Sequence, residues 1–298
     1  MRILLTGASG QMGRHLAPVL APLGEVVSSS RGSGDVPCDL GDSAALKRLL
    51  GEVQPALIVN PAAWTAVDAA EDMAEEAHRL NAQLPAELAA WCRRHNALLV
   101  HYSTDYVFDG QPGRPWLESD QPAPVSVYGR SKLAGEQAIT ASGCRAFILR
   151  TAWLYSALPG NFLSAILARA ARGEALRVVA DQIGSPTWAG SLAEMTVDLL
   201  RLRGAGQLGA SILHAVDRGA MSWHEFASRA VTLAQARGLI DEIVPVQAIG
   251  SSDWPQKACR PSWSVLEVAA LETLMARPAR YCEAALAACL TQWKPMQC

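Results

Sequence analysis

Short apolar runs alternate with amphipathic stretches along the first 150 residues of the chain. The runs RILLT, EVVSSS, ALIVN, ALLVHYS and RAFILR are rich in branched side chains and have the length of buried strands. Between them, apolar positions recur at helical spacing in HLAPVLAPL, SAALKRLL, AEEAHRLNAQLPAELAAWCRRH and the segment around SKLAGEQAIT. Strict alternation of strand and helix predicts a doubly wound α/β fold, a parallel sheet with helices on both faces and right-handed crossovers.

The pattern becomes less regular after about Arg150. GNFLSAILARAARG and SLAEMTVDLLRLR predict helices, whereas LRVVAD and ASILHAV predict strands that continue the sheet. From MSWHEFASRAVTLAQARG onward, a helix precedes a Pro- and Ser-containing passage and a helical tail. We therefore predict a core over 1–152 with its sheet completed by 176–218, and a smaller, mainly helical C-terminal lobe formed by 153–175 and 219–298.

The composition narrows the class of protein. A chain of 298 residues that is 50% hydrophobic can bury a sizeable core. Its 26 basic and 28 acidic residues form no run of like charge, so no nucleic-acid or anionic-membrane surface is expected. No apolar run approaches the roughly 20 residues of a membrane span, and ILLTG is too short for a signal sequence. We expect a soluble, cytoplasmic protein.

Cysteines and histidines show no ligand spacing. The seven cysteines are odd in number, scattered and never in a C-x-x-C pair, which favours a reducing compartment. The six histidines are equally dispersed, and His224-Glu225 has Ser228 where H-E-x-x-H requires its second histidine. We predict no metal centre.

A glycine-rich turn follows the first predicted strand. GASGQMG spaces Gly7, Gly10 and Gly13 three residues apart, directly before an apolar helix. Glycines allow a tight turn and close approach of a pyrophosphate to main-chain N–H groups, while the helix N-terminus supplies positive potential. The turn predicts a dinucleotide site.

The end of the second predicted strand bears on which dinucleotide binds. An acidic residue there would hold the ribose 2′-hydroxyl of NAD, but this strand runs into Ser28, Ser29, Ser30 and Arg31. A guanidinium suits a 2′-phosphate because it binds phosphate with a bidentate fork. We predict NADPH, with NADH as the alternative donor, and the competing interpretation makes Arg31 a solvated loop residue.

The stretch YGRSKLAGE places Tyr128 four residues before Lys132. On a helix the two side chains share a face, so the ammonium could stabilise a phenolate and lower the pKa of Tyr128. This is an arrangement for proton transfer. The alternative is two exposed polar residues on a surface helix.

Together with STDYVFDG at Ser103–Gly110, these motifs resemble an extended short-chain dehydrogenase/reductase with a Rossmann-like core. More narrowly, the chain resembles the dTDP-4-dehydrorhamnose reductase family. The similarity runs in order from residue 7 to residue 266, through GASGQMG, NPAAWTAVDAAE, HYSTDYVFDG, YGRSKLAGE, RTAWLY, GNF, DQIGSPT and ACRPSWSVL.

The resemblance assigns roles to individual residues. It implies that Tyr128 is the proton donor, that Lys132 is its electrostatic partner and a nicotinamide ribose ligand, and that Thr104 orients the substrate carbonyl. Further cofactor positions are implied at Gly10, Gln11, Met12, Ser30, Arg31, Asp39, Leu40, Ala62, Ala63, Trp64 and Tyr102, beside Gly7 and Gly13. Substrate positions are implied at Thr104, Asp105 and Trp153, with Arg260 as a diphosphate partner.

The implied reaction is NADPH-dependent reduction of dTDP-4-dehydro-β-L-rhamnose to dTDP-L-rhamnose. Two alternatives stay open: another nucleotide-sugar epimerase or dehydratase, and a non-catalytic regulatory subunit similar to that of methionine adenosyltransferase. The expected partner is a small nucleotide sugar, and a homodimer is the assembly considered. Some relatives dimerise around magnesium held by glutamates, but a corresponding helix position is His15 here, so magnesium is not expected.

Overall fold

A computed structural model describes residues 1–111, 113–202, 209–254 and 256–293. The strands are β1 (Arg2–Thr6), β2 (Glu25–Ser29), β3 (Leu57–Asn60), β4 (Leu98–Thr104), β5 (Arg145–Thr151), β6 (Leu154–Tyr155), β7 (Leu176–Val179), β8 (Ile183–Gly184), β9 (Thr187–Trp188), β10 (Ala210–His214), β11 (Met221–Ser222) and β12 (Val246–Ile249). The helices are α1 (Gln11–Leu20), α2 (Ser43–Val53), α3 (Val67–Ala70), α4 (Ala74–His78), α5 (Leu84–His95), α6 (Val127–Ser142), α7 (Phe162–Ala170), α8 (Ala189–Leu202), α9 (Trp223–Ala236), α10 (Ala269–Met275) and α11 (Cys282–Thr291). A π-helical turn, Arg79–Gln83, joins α4 to α5, and 3-10 turns lie at Ala21–Leu23, Asp105–Val107 and Ser251–Asp253.

The central sheet has six strands in the order β10-β5-β4-β3-β1-β2. Every pairing within it is parallel. The doubly wound, Rossmann-like architecture is therefore confirmed. The chain moves from β1 to β2 on one side and returns to β3 on the other, which opens a crevice at the carboxyl ends of β1 and β3.

Helices cover both faces of this sheet. One face packs against α1 and α8 through residues such as Leu16, Leu20 and Leu192, and the other against α2, α5 and α6. All four residues of β3 are buried. A continuous apolar strand is expected where helices cover both faces of a parallel sheet.

The C-terminal lobe has a separate core. Side chains of α7, α9 and α11 pack together there, including Leu163, Phe226 and Leu286. The strand predicted at LRVVAD forms as β7, but it pairs with β12 and not with the central sheet. Leu176 and Val178 of this strand belong to the lobe core, whereas Arg177 between them is exposed, so one face of the strand packs on that core. The segment 176–218 thus completes the central sheet only through β10.

The described helices are short relative to a bilayer. The longest, α6, has 16 residues, whereas a membrane span needs about 20. None of the helices in the described part of the chain is long and apolar enough to cross a membrane.

Candidate active site

A cavity of about 1230 Å³ lies at the carboxyl ends of the central strands, where residues of both lobes line it. Eighteen of the predicted site residues border this cavity, and Arg260 is the exception. Those that border it are Gly7, Gly10, Gln11, Met12, Gly13, Ser30, Arg31, Asp39, Leu40, Ala62, Ala63, Trp64, Tyr102, Thr104, Asp105, Tyr128, Lys132 and Trp153. Positions far apart in sequence therefore share one space large enough for extended ligands.

The glycine turn packs tightly against its neighbours. Gly7 has a φ of +56°, and a Cβ there would lie 3.0 Å from the backbone of Ala62. A Cβ on Gly13 would lie 2.3 Å from the carbonyl oxygen of Gly7. Helix α1 begins directly behind this turn, with no side-chain cap and no acidic residue in its first turn. The residues that carry its first N–H groups, Gln11, Met12 and Gly13, line the cavity, and these groups are available to a phosphate.

Two residues of the turn can serve a ligand mainly through their backbone. Gln11 uses its side-chain amide to donate to the Leu154 carbonyl at 3.1 Å and to accept from the Ser156 hydroxyl at 2.9 Å. Met12 is 6% exposed and belongs to the hydrophobic core. The Gln11 side chain therefore ties the cofactor loop to the chain that leads into the second lobe.

The end of β2 presents cationic and hydroxyl groups to the cavity. Arg31 is exposed and forms no ion pair with any described residue. The Ser30 hydroxyl donates to the Ser33 carbonyl at 2.7 Å, which shapes the loop that carries Arg31. Asp39 accepts a hydrogen bond from the Gly41 N–H at 2.9 Å. The guanidinium is therefore free to meet a phosphate.

Helix α6 carries the predicted acid and its cationic partner. Ser126 caps the helix by accepting from the Gly129 N–H, and Tyr128 and Lys132 follow on one face. Lys132 is 1% exposed. Its Nζ donates to the Tyr102 carbonyl at 2.6 Å and lies 3.4 Å from Nε2 of His101. The Lys132 ammonium therefore contacts two residues of β4, Tyr102 and His101.

The pKa of Tyr128 differs from the expectation. We expected Lys132 to lower it, but burial, together with the charge of Asp105, raises the pKa of Tyr128 to about 12, and the Thr104 hydroxyl acts in the opposite direction. The physical reason is desolvation, which disfavours the phenolate, while the Lys132 ammonium is directed at the Tyr102 carbonyl. Tyr128 is therefore protonated at neutral pH, the state that an acid needs.

Burial has the reverse effect on the cation. It lowers the pKa of Lys132 to about 8, and the negative charge of Glu136 partly offsets this. Glu136 itself forms a bidentate pair with Arg150, at 3.0 and 2.7 Å, with both side chains 2% exposed. This pair fixes α6 against β5, and sequence reasoning missed it because the two residues belong to different elements.

Thr104 and Asp105 form a buried hydrogen-bonded pair at the end of β4. The Thr104 hydroxyl donates to Oδ1 of Asp105 at 2.9 Å. Burial raises the pKa of Asp105 to about 6, against the opposing hydrogen bonds from Ser264 and Thr104. Thr104 is in register with Thr151 of β5, so both strand ends face the same cavity.

Asn81 is a second residue that sequence reasoning missed. It lies in the π-helical turn, is fully buried, and joins the Trp64 loop to α6. Its oxygen accepts from the Trp64 N–H at 2.9 Å, and its amide donates to the Ser131 hydroxyl at 2.9 Å. A π-turn often marks a functional site, but no local sequence pattern predicts one.

Trp153 lies at the boundary between the lobes with a φ of +46°, a conformation that a bulky residue rarely adopts. Its ring stacks on Trp223, with centroids 3.6 Å apart and planes at 1°. A Cβ on Gly184 would lie 2.5 Å from the Trp153 ring, so glycine is needed there. Both tryptophans border the cavity and form an aromatic wall.

Arg260 does not line the cavity; it is paired with Asp68 and contacts Tyr106, which does line it. Its guanidinium donates twice to the Asp68 carboxylate, at 3.0 and 2.8 Å. The backbone N–H groups of Lys257 and Ala258 donate to the same carboxylate at 3.1 and 3.0 Å. These bonds, with Arg260 first, lower the pKa of Asp68 to about 2. The ring of Tyr106 packs edge-on against the ring of Tyr128, with the two centroids 5.7 Å apart.

The described ranges contain no cluster of three His, Cys, Asp or Glu residues that could hold a metal ion. His15 packs against Trp188, with ring centroids 6.3 Å apart. Burial lowers the pKa of His15.

Comparison with known proteins gives a consistent result. A family model described as the RmlD substrate binding domain matches residues 1–294. A dTDP-4-dehydrorhamnose reductase of Burkholderia thailandensis is 41% identical over 281 residues, which cover 91% of this chain and 92% of that protein. A probable dTDP-4,6-dihydroxy-2-methyloxan-3-one 4-ketoreductase of Streptomyces antibioticus is 40% identical over 267 residues, which cover 89% and 86%.

A solved structure extends this similarity to three dimensions. The dTDP-4-dehydrorhamnose reductase of Bacillus anthracis, solved in complex with NADP, matches with a TM-score of 0.89 at 30% identity. The match covers 98% of this chain and 99% of that chain.

Proposed function

The chain belongs to the dTDP-4-dehydrorhamnose reductase family, and we propose that its cavity reduces the 4-keto group of dTDP-4-dehydro-β-L-rhamnose to give dTDP-L-rhamnose, the last step of dTDP-L-rhamnose synthesis. The observation that carries this proposal is the convergence of Thr104, Tyr128 and Lys132 at the cavity that also receives the glycine turn. The protein is an oxidoreductase that acts on a nucleotide sugar with a nicotinamide cofactor.

The chain supplies a proton and its environment. A bound nicotinamide cofactor provides hydride-transfer chemistry at C4 of the sugar. Tyr128 holds the proton that the developing alkoxide takes up, and its raised pKa of about 12 keeps it protonated until then. Lys132 provides positive charge from the same helix face to stabilise the tyrosinate that forms.

Thr104 orients the substrate oxygen. Its single hydroxyl proton is directed at Asp105 Oδ1, 2.9 Å away. Rotation of that O–H directs the proton at a carbonyl oxygen placed beside Tyr128 instead. Two donors then meet the oxygen on which charge develops, which is the arrangement that stabilises an alkoxide.

NADPH is the proposed donor. Ser30 and Arg31 border the cavity at the end of β2, and Arg31 has no carboxylate partner among the described residues. A guanidinium free to pair with phosphate supports the 2′-phosphorylated cofactor over NADH.

The second lobe is proposed to hold the nucleotide sugar. Trp153, with Trp223 stacked behind it, offers an apolar face to the sugar, and Asp105 lies at the reacting end. Arg260 is the proposed diphosphate partner, because its guanidinium has five N–H donors, Asp68 accepts two hydrogen bonds from it, and it contacts Tyr106, which lines the cavity.

The alternatives are less well supported. An epimerase or dehydratase retains NAD through each cycle, whereas the end of β2 carries Arg31 and not an acidic residue. A regulatory subunit does not require an intact proton donor, yet Thr104, Tyr128 and Lys132 are all present and line the same cavity, with Thr104 and Lys132 buried and Tyr128 half-buried.

We also propose how the protein assembles and where in the cell it is found. A homodimer without an intersubunit magnesium ion is the form we expect. The described cysteines are free thiols, as a reducing cytoplasm would keep them: Cys38, Cys92, Cys144, Cys259, Cys282 and Cys289. Cys298 lies outside the described residues.

The test measures NADPH oxidation with enzymatically generated dTDP-4-dehydrorhamnose, alongside NADH, and identifies the sugar product by mass spectrometry and NMR. Wild-type protein should form dTDP-L-rhamnose. Tyr128→Phe should lose about 10² to 10⁴ in rate, while Tyr281→Phe, at an exposed phenol, serves as the matched control. Near-normal turnover by Tyr128→Phe would contradict the assignment of the acid, and no product from wild type would contradict the reaction.

A further inference from the structure

Lys132 is enclosed by protein and has few hydrogen-bond acceptors. Glu136, one turn further along α6, already engages Arg150 through both carboxylate oxygens. Among the described residues, the hydrogen-bond contacts that remain to the Lys132 Nζ are the Tyr102 carbonyl at 2.6 Å and Nε2 of His101 at 3.4 Å. A buried ammonium keeps its charge only if acceptors replace water. Whether His101 acts as one of those acceptors therefore decides the state of Lys132.

His101 begins a chain of polar side chains that crosses the sheet. Its Nδ1 lies 3.0 Å from Nδ2 of Asn60, with which it is in register across β3 and β4. Oδ1 of Asn60 lies 2.6 Å from the Thr6 hydroxyl on β1. His101, Asn60 and Thr6 are all 0% exposed. Buried side chains of this kind must satisfy one another, since water does not reach them.

This chain has two self-consistent hydrogen-bond directions. If Lys132 is an ammonium, it donates to Nε2 of His101, the ring proton is on Nδ1, and the Asn60 amide turns its oxygen toward the ring. If Lys132 is a neutral amine, Nε2–H donates to it, and Nδ1 accepts from the Asn60 amide nitrogen. The charge of Lys132 is thereby linked to the tautomer of His101.

We propose that His101 is a positioning residue of this active site: its neutral imidazole accepts a hydrogen bond from Lys132 and so keeps the buried ammonium charged and directed at the cavity. When the Asn60 amide turns its oxygen toward the imidazole, that oxygen accepts from Nδ1–H of His101. His101 can then accept from Lys132 at Nε2 with both ring nitrogens paired. Neither His101 nor Asn60 reaches the reacting atoms.

The other described ionisable groups near Lys132 have partners of their own or carry no charge. Tyr128 and Glu136 lie on its own helix, and the charge of Glu136 is shared with Arg150 of β5. On β4, the Tyr102 hydroxyl bonds to Thr196 at 2.7 Å, away from Lys132. Burial, followed by the charge of Lys132, holds the pKa of His101 well below its usual value, so the imidazole is neutral. A change at His101 alters an acceptor and not a charge.

The chain contains only four lysines, Lys47, Lys132, Lys257 and Lys294, so NMR of protein labelled with ¹³C at lysine Cε can follow each one through a pH titration. Lys132→Gln identifies the signal of interest. His101→Phe should lower the titration midpoint of Lys132 by about one pH unit, the size that a hydrogen bond to a charged group supplies. His101→Gln, whose amide oxygen can accept, should restore the wild-type midpoint. His224→Phe, in the second lobe, is the matched control.

A measurement on wild-type protein covers the case in which His101→Phe does not fold. In ¹⁵N-histidine spectra, the proton of His101 should be on Nδ1 below the Lys132 midpoint and on Nε2 above it. An unchanged Lys132 midpoint in folded His101→Phe, or one tautomer throughout the titration, would overturn the proposal. Both readouts are independent of turnover, so they separate this proposal from that of the reductase activity.

Discussion

Lys132 and Tyr102 are joined by a hydrogen bond of 2.6 Å from the Lys132 ammonium to the Tyr102 backbone carbonyl. This contact attaches the helix that carries the proton donor to the strand that carries Thr104. Lys132 is thereby held by the backbone of the sheet, while the Tyr128 hydroxyl is left to the cavity. Tyr128 and Lys132 therefore border the same cavity, but only Lys132 is fixed by a hydrogen bond to the backbone of the sheet.

The buried pair of Glu136 and Arg150 should be the strongest electrostatic determinant of stability near the site. Glu136→Gln would leave the Arg150 guanidinium buried without a counter-charge, and this should cost about 3 to 5 kcal/mol of unfolding free energy. Urea denaturation followed by circular dichroism measures the change. Glu174→Gln, which removes an exposed partner of Arg169 and Arg172, is the control and should alter stability very little. Equal losses in both variants would contradict the prediction.

Removal of the Arg31 guanidinium should change cofactor choice. Arg31→Ala should lower kcat/KM for NADPH by roughly 10- to 100-fold, because a charge-assisted hydrogen bond to the 2′-phosphate is lost, and should change kcat/KM for NADH much less. Parallel assays with the two cofactors measure the ratio. Arg48→Ala, at an exposed arginine of α2, controls for the general loss of positive charge. An unchanged ratio would show that Arg31 is a solvated loop residue.

Asp68 should control substrate affinity through Arg260. Asp68→Asn weakens the carboxylate that accepts four hydrogen bonds from Lys257, Ala258 and Arg260. We expect KM for the nucleotide sugar to rise about tenfold, with a smaller change in kcat, because Arg260 loses its orientation. NADPH affinity, measured by calorimetry, should stay constant.

Lys257→Met provides the comparison for Asp68→Asn. It removes the side-chain pair with Asp72 but keeps the backbone bond to Asp68. A decrease of KM in Asp68→Asn would mean that Asp68 competes with substrate for Arg260, which is the opposite of the role argued above.

Stability should depend on pH through Asp105. Burial raises the pKa of this carboxyl to about 6 in the folded protein, against about 4 in the unfolded chain. The folded protein therefore holds a proton that the unfolded chain has already released, and the free energy of unfolding falls as the pH rises from about 4 to about 6. Asp217, whose pKa burial raises to about 7, acts in the same direction.

The variant Asp105→Asn tests this dependence. Urea denaturation at about pH 4 and about pH 7 should show a smaller loss of stability than in wild type, by up to about 3 kcal/mol. Asp241→Asn, at an exposed carboxylate, should leave the wild-type dependence intact. An identical pH dependence in Asp105→Asn and wild type would show that Asp105 ionises normally in the folded protein.

The sequence by itself determined the local features. Apolar periodicity predicted the strands and helices of the central sheet, because each pattern needs only its own segment to have one buried face. The spacing of Gly7, Gly10 and Gly13 predicted the turn whose close contacts exclude side chains. The separation of Tyr128 and Lys132 placed both on one helix face, because helical geometry fixes that relation within four residues.

Only the tertiary structure decided which distant groups meet. It paired β7 with β12, placed Lys132 against His101, and joined Asp68 to Arg260 across 192 positions. It also reversed the expected pKa shift of Tyr128, since burial outweighs a cation that is bound elsewhere. Such contacts depend on strand order, on register and on how two lobes pack. No local spacing encodes these, because they arise only when separate elements bury their apolar faces together.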